Sequence, residues 1–306
     1  MLCFPYRFDL ELARLPVITI LISILCVVIY FLQFRNEVEF FDKTLAHCGN
    51  SRTAIERMAM NKSLGGSTVA DCFEFVTQMT IAEDSKSLLD DYVEGSAKFA
   101  GLSVQDSKDY VRDVLTREYA SYKSAVPPLK TKQLWYHPSS WDPVTMLTSN
   151  FAHGSWAHVI GNLFFFFAFA AAVELIVGSL SFAMVVLLMS FGTSISYSLV
   201  MAAANDPLPT VGLSGVVMGM MALLTYFWPS GKIRCFWWFL IFFGTVAVPA
   251  WLLALFYIGF DVYHLLSAEE LGPVNLVAHV SGAAIGLILG MTWFRRRRRT
   301  VHEITD

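Results

Sequence analysis

Long uncharged apolar runs, interrupted by one stretch of mixed charge, set the plan of the chain. Val17 to Phe34 carries no charge and is long enough to cross a hydrocarbon core of about 30 Å. Residues 36–135 then change character, with charges of both signs and few long apolar runs. Within them Ser103-Val104-Gln105-Asp106 is close to a capping box, and Tyr110, Val111, Val114, Leu115 and Tyr119 recur at helical spacing. Pro127-Pro128 closes the last helix of this region. Apolar runs return over roughly 155–177, 180–203, 212–228, 236–259 and 274–294, which with the first makes six. Pro249 falls inside the fifth, where lipid tolerates a kink. The pattern predicts an all-α fold, a polytopic membrane helical bundle of six transmembrane helices with a helical extramembrane insert in the first loop. Its segments are a short N-terminus (1–16), a first transmembrane helix (17–34), the insert (35–136), a five-helix core (137–294) and a basic tail (295–306).

Composition agrees and adds direction. Of 306 residues, 55% are hydrophobic and 15% charged, which excludes an ordinary soluble enzyme. The net charge of −3 hides an asymmetry: Arg295 to Arg299 form a basic block, while most acids lie between residues 37 and 118. The block directly follows an apolar span, so it reads as a cytoplasmic stop signal and not as a nucleic-acid contact. Arg7, Arg14, Lys232, Arg234 and the arginine block all fall on one side by parity, and the opposite loops, 204–211 and 260–273, carry no Lys or Arg. The positive-inside rule then puts both termini in the cytoplasm and residues 36–154 outside. Bulky Tyr30-Phe31-Leu32-Gln33-Phe34 offers no small-x-small cleavage site, so the first span reads as a retained anchor. Trp237-Trp238 reads as an interfacial anchor near the cytoplasmic end of the fifth span. Cys3, Cys26 and Cys235 lie at or within membrane segments; Cys48 and Cys72 share the polar region, where a disulfide requires an oxidising compartment. No cysteine spacing resembles a zinc site.

The candidate chemistry comes from depth. Ser214 lies in the first turn of span four, within Gly212-Leu213-Ser214-Gly215, and His279 in the second turn of span six, after Asn275. Span two carries His153, His158 and Asn162 at or near the same outer end. Five polar groups from three spans thus share one depth, which scattered packing residues have no reason to do. An ionisable side chain inside a membrane is costly and marks a functional site by default. A lone intramembrane serine is ordinarily a packing residue; its register with His279 and span two reverses that reading. His158 and Asn162, four apart, share a helix face. His279, Gly282, Gly286 and Gly290 form one stripe, and Gly215 and Gly219 form a small-xxx-small pair. Facing glycines let two helices approach closely, as a Ser214–His279 hydrogen bond requires.

Ser214 then reads as nucleophile and His279 as the base that takes its proton and returns it to the leaving amine. Asn162, His158 and the Ser214 backbone N–H are candidate oxyanion donors. No acidic residue appears at matching depth, and Glu174 lies at the opposite end of span two, so a Ser–His dyad is expected in place of a triad. His153 and His158 are five apart, without a cysteine or carboxylate beside them, and do not read as a metal site. His47, His137, His264 and His302 read as loop residues, and Phe164 to Phe167 as a lipid-facing or packing run, not a cofactor box. No cofactor or metal is expected.

These motifs resemble those of the rhomboid intramembrane serine proteases. His153-x4-His158-x3-Asn162, Gly212-Leu213-Ser214-Gly215 and Ala278-His279-x2-Gly282-x3-Gly286 match the family's three signatures, and Glu174 sits where the family has a glutamate closing that helix. The resemblance covers residues 137–294 plus the first span. It implies a serine endopeptidase acting on transmembrane or juxtamembrane segments of other membrane proteins. It also implies a multi-pass placement such as a bacterial inner membrane, with the site opening outward among membrane lipids. Ser214 and His279 would be the dyad, His158 and Asn162 the oxyanion hole, and His153 a support for the hydrogen-bond network. Two positions depart from the pattern: Trp141 is followed by Asp142 and Pro143 where an arginine often follows, and Met218 replaces a tyrosine that stacks on the histidine. The insert is longer than compact bacterial forms need and is a candidate for recruiting or selecting substrates. A catalytically silent relative that binds membrane clients is the alternative; such relatives usually lack the serine or histidine. A transporter with a histidine relay would show intramembrane carboxylates or broken paired helices. Gly259 and Gly272-Pro273 bracket a candidate gate formed by span five and the loop after it.

Overall fold

A computed structural model describes residues 2–8, 15–49, 61, 64, 69–202, 207–239, 242–267 and 274–298. In chain order its elements are β1 (Leu2–Phe8), α1 (Val17–Gly49), α2 (Val69–Ile81), α3 (Ser85–Glu94), α4 (Val104–Ala125), α5 (Lys130–Leu134), α6 (Pro143–Thr148), α7 (Trp156–Val177), α8 (Ser179–Met201), α9 (Ser214–Phe227), β2 (Lys232–Phe239), β3 (Phe242–Pro249), α10 (Ala250–Ser267) and α11 (Leu276–Thr292). They form two compact units, residues 1–31 with 133–306, and residues 32–132.

The larger unit is a helical membrane bundle. Among the described residues, α1, α7, α8 and α10 are long and apolar enough to cross a membrane, and α9 and α11 are apolar but shorter. Its polarity is reversed relative to a soluble protein. Leu21, Ile24, Val28, Leu187, Leu255 and Phe256 face outward, whereas Glu174, Ser190, Thr193, Ser194 and Ser198 are buried. Helices in such a setting associate through close packing and polar contacts, since lipid is as apolar as leucine. At 14 residues α9 is only about 21 Å long, and it is buried from Gly215 to Leu224 on every face. It is the central helix, and α11 is its most extensive partner. A Cβ at Gly282 would collide with the Gly215 carbonyl, and one at Gly286 with that of Gly219. The facing glycines of the two motifs therefore meet backbone to backbone.

Glu174, at the far end of α7, is buried and accepts hydrogen bonds from Thr19 N (2.8 Å), Thr19 Oγ1 (2.8 Å), Ile18 N (3.0 Å) and Ser179 Oγ (2.6 Å). The carboxylate satisfies the open N–H groups at the positive end of α1. It fastens the first span to the bundle at the end opposite Ser214.

Span five differs from the hydropathy reading. β2 (Lys232–Phe239) pairs antiparallel with β3 (Phe242–Pro249), and β1 lies along the other edge of β2. The membrane helix begins only at Ala250 and continues to Ser267. An apolar run rich in aromatic and β-branched residues is ambiguous between strand and helix by hydropathy alone. Pro249 ends the strand and leads into the helix, where a kink within one helix had been expected.

In the smaller unit α1 continues as one helix past residue 34 to Gly49. Phe40, Phe75, Val76, Val111, Val114, Leu115 and Tyr122 build its core, and a Cys48–Cys72 disulfide lies in that core. Ser103 caps α4 by accepting from Asp106 N at 3.0 Å, and the helix ends two residues before Pro127-Pro128, as the sequence suggests. His47 belongs to α1 and pairs with Glu118 at 2.9 Å, so it is not a loop residue.

Candidate active site

Three backbone devices position the serine. Gly212 has φ of +120°, a conformation that side chains rarely adopt, and a Cβ there would lie 2.8 Å from His158 Nε2. Gly212 N donates to Ser149 O at 2.8 Å, which moors the turn to the end of α6. Further back, Tyr136 and Thr210 pair as an isolated bridge (3.0 and 2.9 Å). Leu213 is fully buried beneath the turn. Ser214 therefore opens α9, where the first N–H groups have no intrahelical partner and the helix dipole is positive.

His279 is set by α11. Asn275 caps that helix, its side chain accepting from Ala278 N at 2.9 Å, and His279 follows in the first turns. With the two helices in glycine contact, Ser214 Oγ and His279 Nε2 are 2.7 Å apart. That distance is within the range a nucleophile and its base require.

The third wall is the start of α7, capped by Ser155, which accepts from His158 N at 3.1 Å. His158 Nδ1 accepts from Gly154 N at 3.4 Å, so its proton resides on Nε2, the nitrogen facing the Gly212 turn. Asn162 is 9% exposed, and its Nδ2 has no hydrogen-bond partner among the described residues. An unmatched buried donor is costly in a finished structure; here it faces a cavity. His153 is buried, donates through Nδ1 to Phe151 O (3.2 Å) and sets its ring edge-on to that of His158, with centroids 5.1 Å apart. It thus contacts the site through His158 and does not line the cavity.

Ser214, His279, His158, Asn162, Met218 and Tyr257 line one cavity of about 1120 Å³. Met218 occupies the wall one turn below the serine, and Tyr257 enters from α10 with its ring edge-on to Phe165 at 4.9 Å. Of the expected aromatic run, Phe166 is buried, whereas Phe164 and Phe167 face outward.

One expectation is overturned. An acidic side chain does reach the histidine: Asp261 Oδ2 lies 2.8 Å from His279 Nδ1, both side chains being nearly enclosed at 13% and 12% exposure. By hydropathy span five ends at residue 259, and Asp261 falls in the loop after it. The charge itself drew that boundary, since an apolar-run criterion stops at an acid. Two signals pointed the other way. Ala250, Ala254, Tyr257, Asp261 and Leu265 recur at helical spacing, and parity places residue 261 at the same end as His279. His264 is likewise helical, its ring set edge-on to Phe260 with centroids 4.2 Å apart. Of the candidate gate, Gly259 lies within α10, and Gly272-Pro273 falls outside the described residues.

Residues 140–296 match the model of the Rhomboid domain family. The chain is also 29% identical over 168 residues to RHOMBOID-like protein 12, mitochondrial, of Arabidopsis thaliana. That alignment covers 50% of this chain and 46% of the relative, so the chain spans about half the length of the protein it matches. The family match contains the six cavity side chains named above, and also Asp261, which touches His279.

Proposed function

This chain belongs to the rhomboid family, and on that premise we propose that it is an intramembrane serine endopeptidase. Its substrates are transmembrane or juxtamembrane segments of other membrane proteins. The observation that carries the reading is the 2.7 Å contact between Ser214 Oγ and His279 Nε2, beside an unmatched Asn162 Nδ2, in a cavity lined by all three. The relative's printed name does not state an activity, so the reading rests on this geometry.

The chemistry follows from the groups present. As Ser214 Oγ bonds to the scissile carbonyl carbon, its proton passes to His279 Nε2. The carbonyl oxygen becomes an oxyanion, to which Asn162 Nδ2, His158 Nε2 and the Ser214 N–H are the available donors. Collapse breaks the C–N bond, and His279 returns the proton to the departing amine. A water, deprotonated by the same nitrogen, hydrolyses the ester and restores Ser214. His153 supports the arrangement through His158. Helices give up few backbone hydrogen bonds inside lipid, so the favoured substrates are segments already frayed or broken near the membrane surface.

In this reading the cavity opens to the exoplasmic side, with both termini cytoplasmic. The cationic residues that follow α9 and α11 support that orientation, and so does the Cys48–Cys72 disulfide, which belongs in an oxidising compartment. The test is cleavage of a tagged single-span substrate by the purified protein in liposomes. Wild type is expected to cut, and Ser214→Ala and His279→Ala each to fall to background. Cleavage that persists in Ser214→Ala contradicts the proposal, and a wild type that binds clients without cutting them establishes the escort reading instead.

A further inference from the structure

The dyad chemistry above leaves Asp261 without a part, yet it is bonded to the ring that performs it. A carboxylate only accepts hydrogen bonds, so the 2.8 Å contact puts the proton of His279 on Nδ1. Nε2 is thereby left with its lone pair facing Ser214 Oγ, the form a general base needs. The carboxylate also stands next to the ring that becomes positive when it takes the serine proton. We propose that Asp261 is a positioning residue, completing a Ser214–His279–Asp261 arrangement that fixes the tautomer of His279 and stabilises its protonated form. The inference rests on the protease reading.

Three observations on α10 support it. Asp261 lies on the inward stripe of that helix, with Ala250, Leu253, Ala254, Tyr257 and Leu265, whereas Leu255, Phe256, Phe260 and Tyr263 face outward. Its buried residues, Ala250, Leu253 and Ala254, all lie in the first turns, so Asp261 reaches His279 from the loosely packed half. A carboxylate on a membrane helix is costly unless it is paired, and His279 is the partner it has. Met218, one turn after Ser214, lines the same cavity with a thioether and offers the ring no hydroxyl.

Two substitutions separate this role from mere packing. Asp261→Asn keeps the shape but can donate to Nδ1, which moves the ring proton to Nε2 and removes the base. Asp261→Ala leaves the ring free to take either tautomer, as in a dyad. In this chain in liposomes, Asp261→Asn is expected to lose at least about 100-fold in kcat with KM nearly unchanged, and Asp261→Ala to lose less, since its ring still reaches the productive tautomer. A structural role predicts the reverse order, the isosteric amide being the milder change, and that order would overturn the proposal. Nitrogen-15 NMR of histidine-labelled wild type reads the tautomer without any variant. A protonated Nδ1 on His279 is expected, and a protonated Nε2 with bare Nδ1 overturns the inference even where both variants fail to fold. Labelling by a fluorophosphonate distinguishes the two levels of failure. If Ser214 labels in wild type and at an equal rate in Asp261→Asn, the Asp261 role falls and the protease reading stands. If wild-type Ser214 does not label at all, the protease reading falls and the role falls with it.

Discussion

Helices α9 and α10 each bring one side chain to His279, and they are held in opposite ways. The first is enclosed along its length and touches α11 through glycine backbones, so the spacing of Ser214 and His279 is set by main-chain contact. The second is buried only at its first turns, and most of its outward side chains are apolar. Asp261 reaches the histidine from the sparsely packed half of that helix. Atoms of fixed relative position sit on the rigid pair, and the group that acts through another sits on the looser element. The comparison also separates two kinds of membrane polarity. Ser214 carries a neutral hydroxyl bonded to His279 at 2.7 Å, whereas Asp261 carries a charge whose burial costs more unless it is paired.

The contrast is open to breakage from either side. Gly282→Val inserts branched carbon where the Gly215 carbonyl lies. Overpacking of this kind costs about 1–3 kcal/mol or more, and a displacement of about 1 Å at the reacting atoms costs about 100-fold in rate. The expected outcome is the largest loss of turnover among substitutions that spare the cavity's own side chains, together with a lowered thermal midpoint. Wild-type turnover would mean that α9 and α11 are not in contact. Next, Asn162→Ala removes a candidate oxyanion donor without touching the helix pair and should reduce kcat by about 100-fold while leaving KM within about twofold. An equal loss in KM alone would make Asn162 a binding group. The smallest effect belongs to Leu255→Ala on the outward face of α10, expected within about twofold in turnover and about 0.5 kcal/mol in stability. A tenfold loss there would show that the outer face of α10 is itself held by a partner.

Much of the site was legible in the sequence, because its residues carry rare chemistry at fixed spacing. His158 and Asn162 share a face at i, i+4, and the His279 glycine stripe faces the Gly215–Gly219 pair, as the structure bears out. The Ser103 cap and the helix stop before Pro127-Pro128 were equally local and equally readable. Asp261 was not, because the rule that finds membrane spans discards charged residues, and the residue that matters is an acid at a span's inner face. The β2–β3 hairpin escaped for a related reason: hydropathy measures transfer into an apolar phase and is blind to whether the backbone pairs within a helix or across strands. His47 and His264 are helical although each lies beyond the apolar run that precedes it, because hydropathy marks the membrane-crossing part of a helix and not its full length.

The most direct measurement is the mass of the Ser214 peptide after purified protein is treated with a fluorophosphonate. The account predicts an adduct on Ser214, absent from Ser214→Ala and strongly slowed in His279→Ala, since the base sits 2.7 Å from the hydroxyl. An unmodified Ser214 in folded wild-type protein, or an adduct whose rate is indifferent to His279, would contradict it.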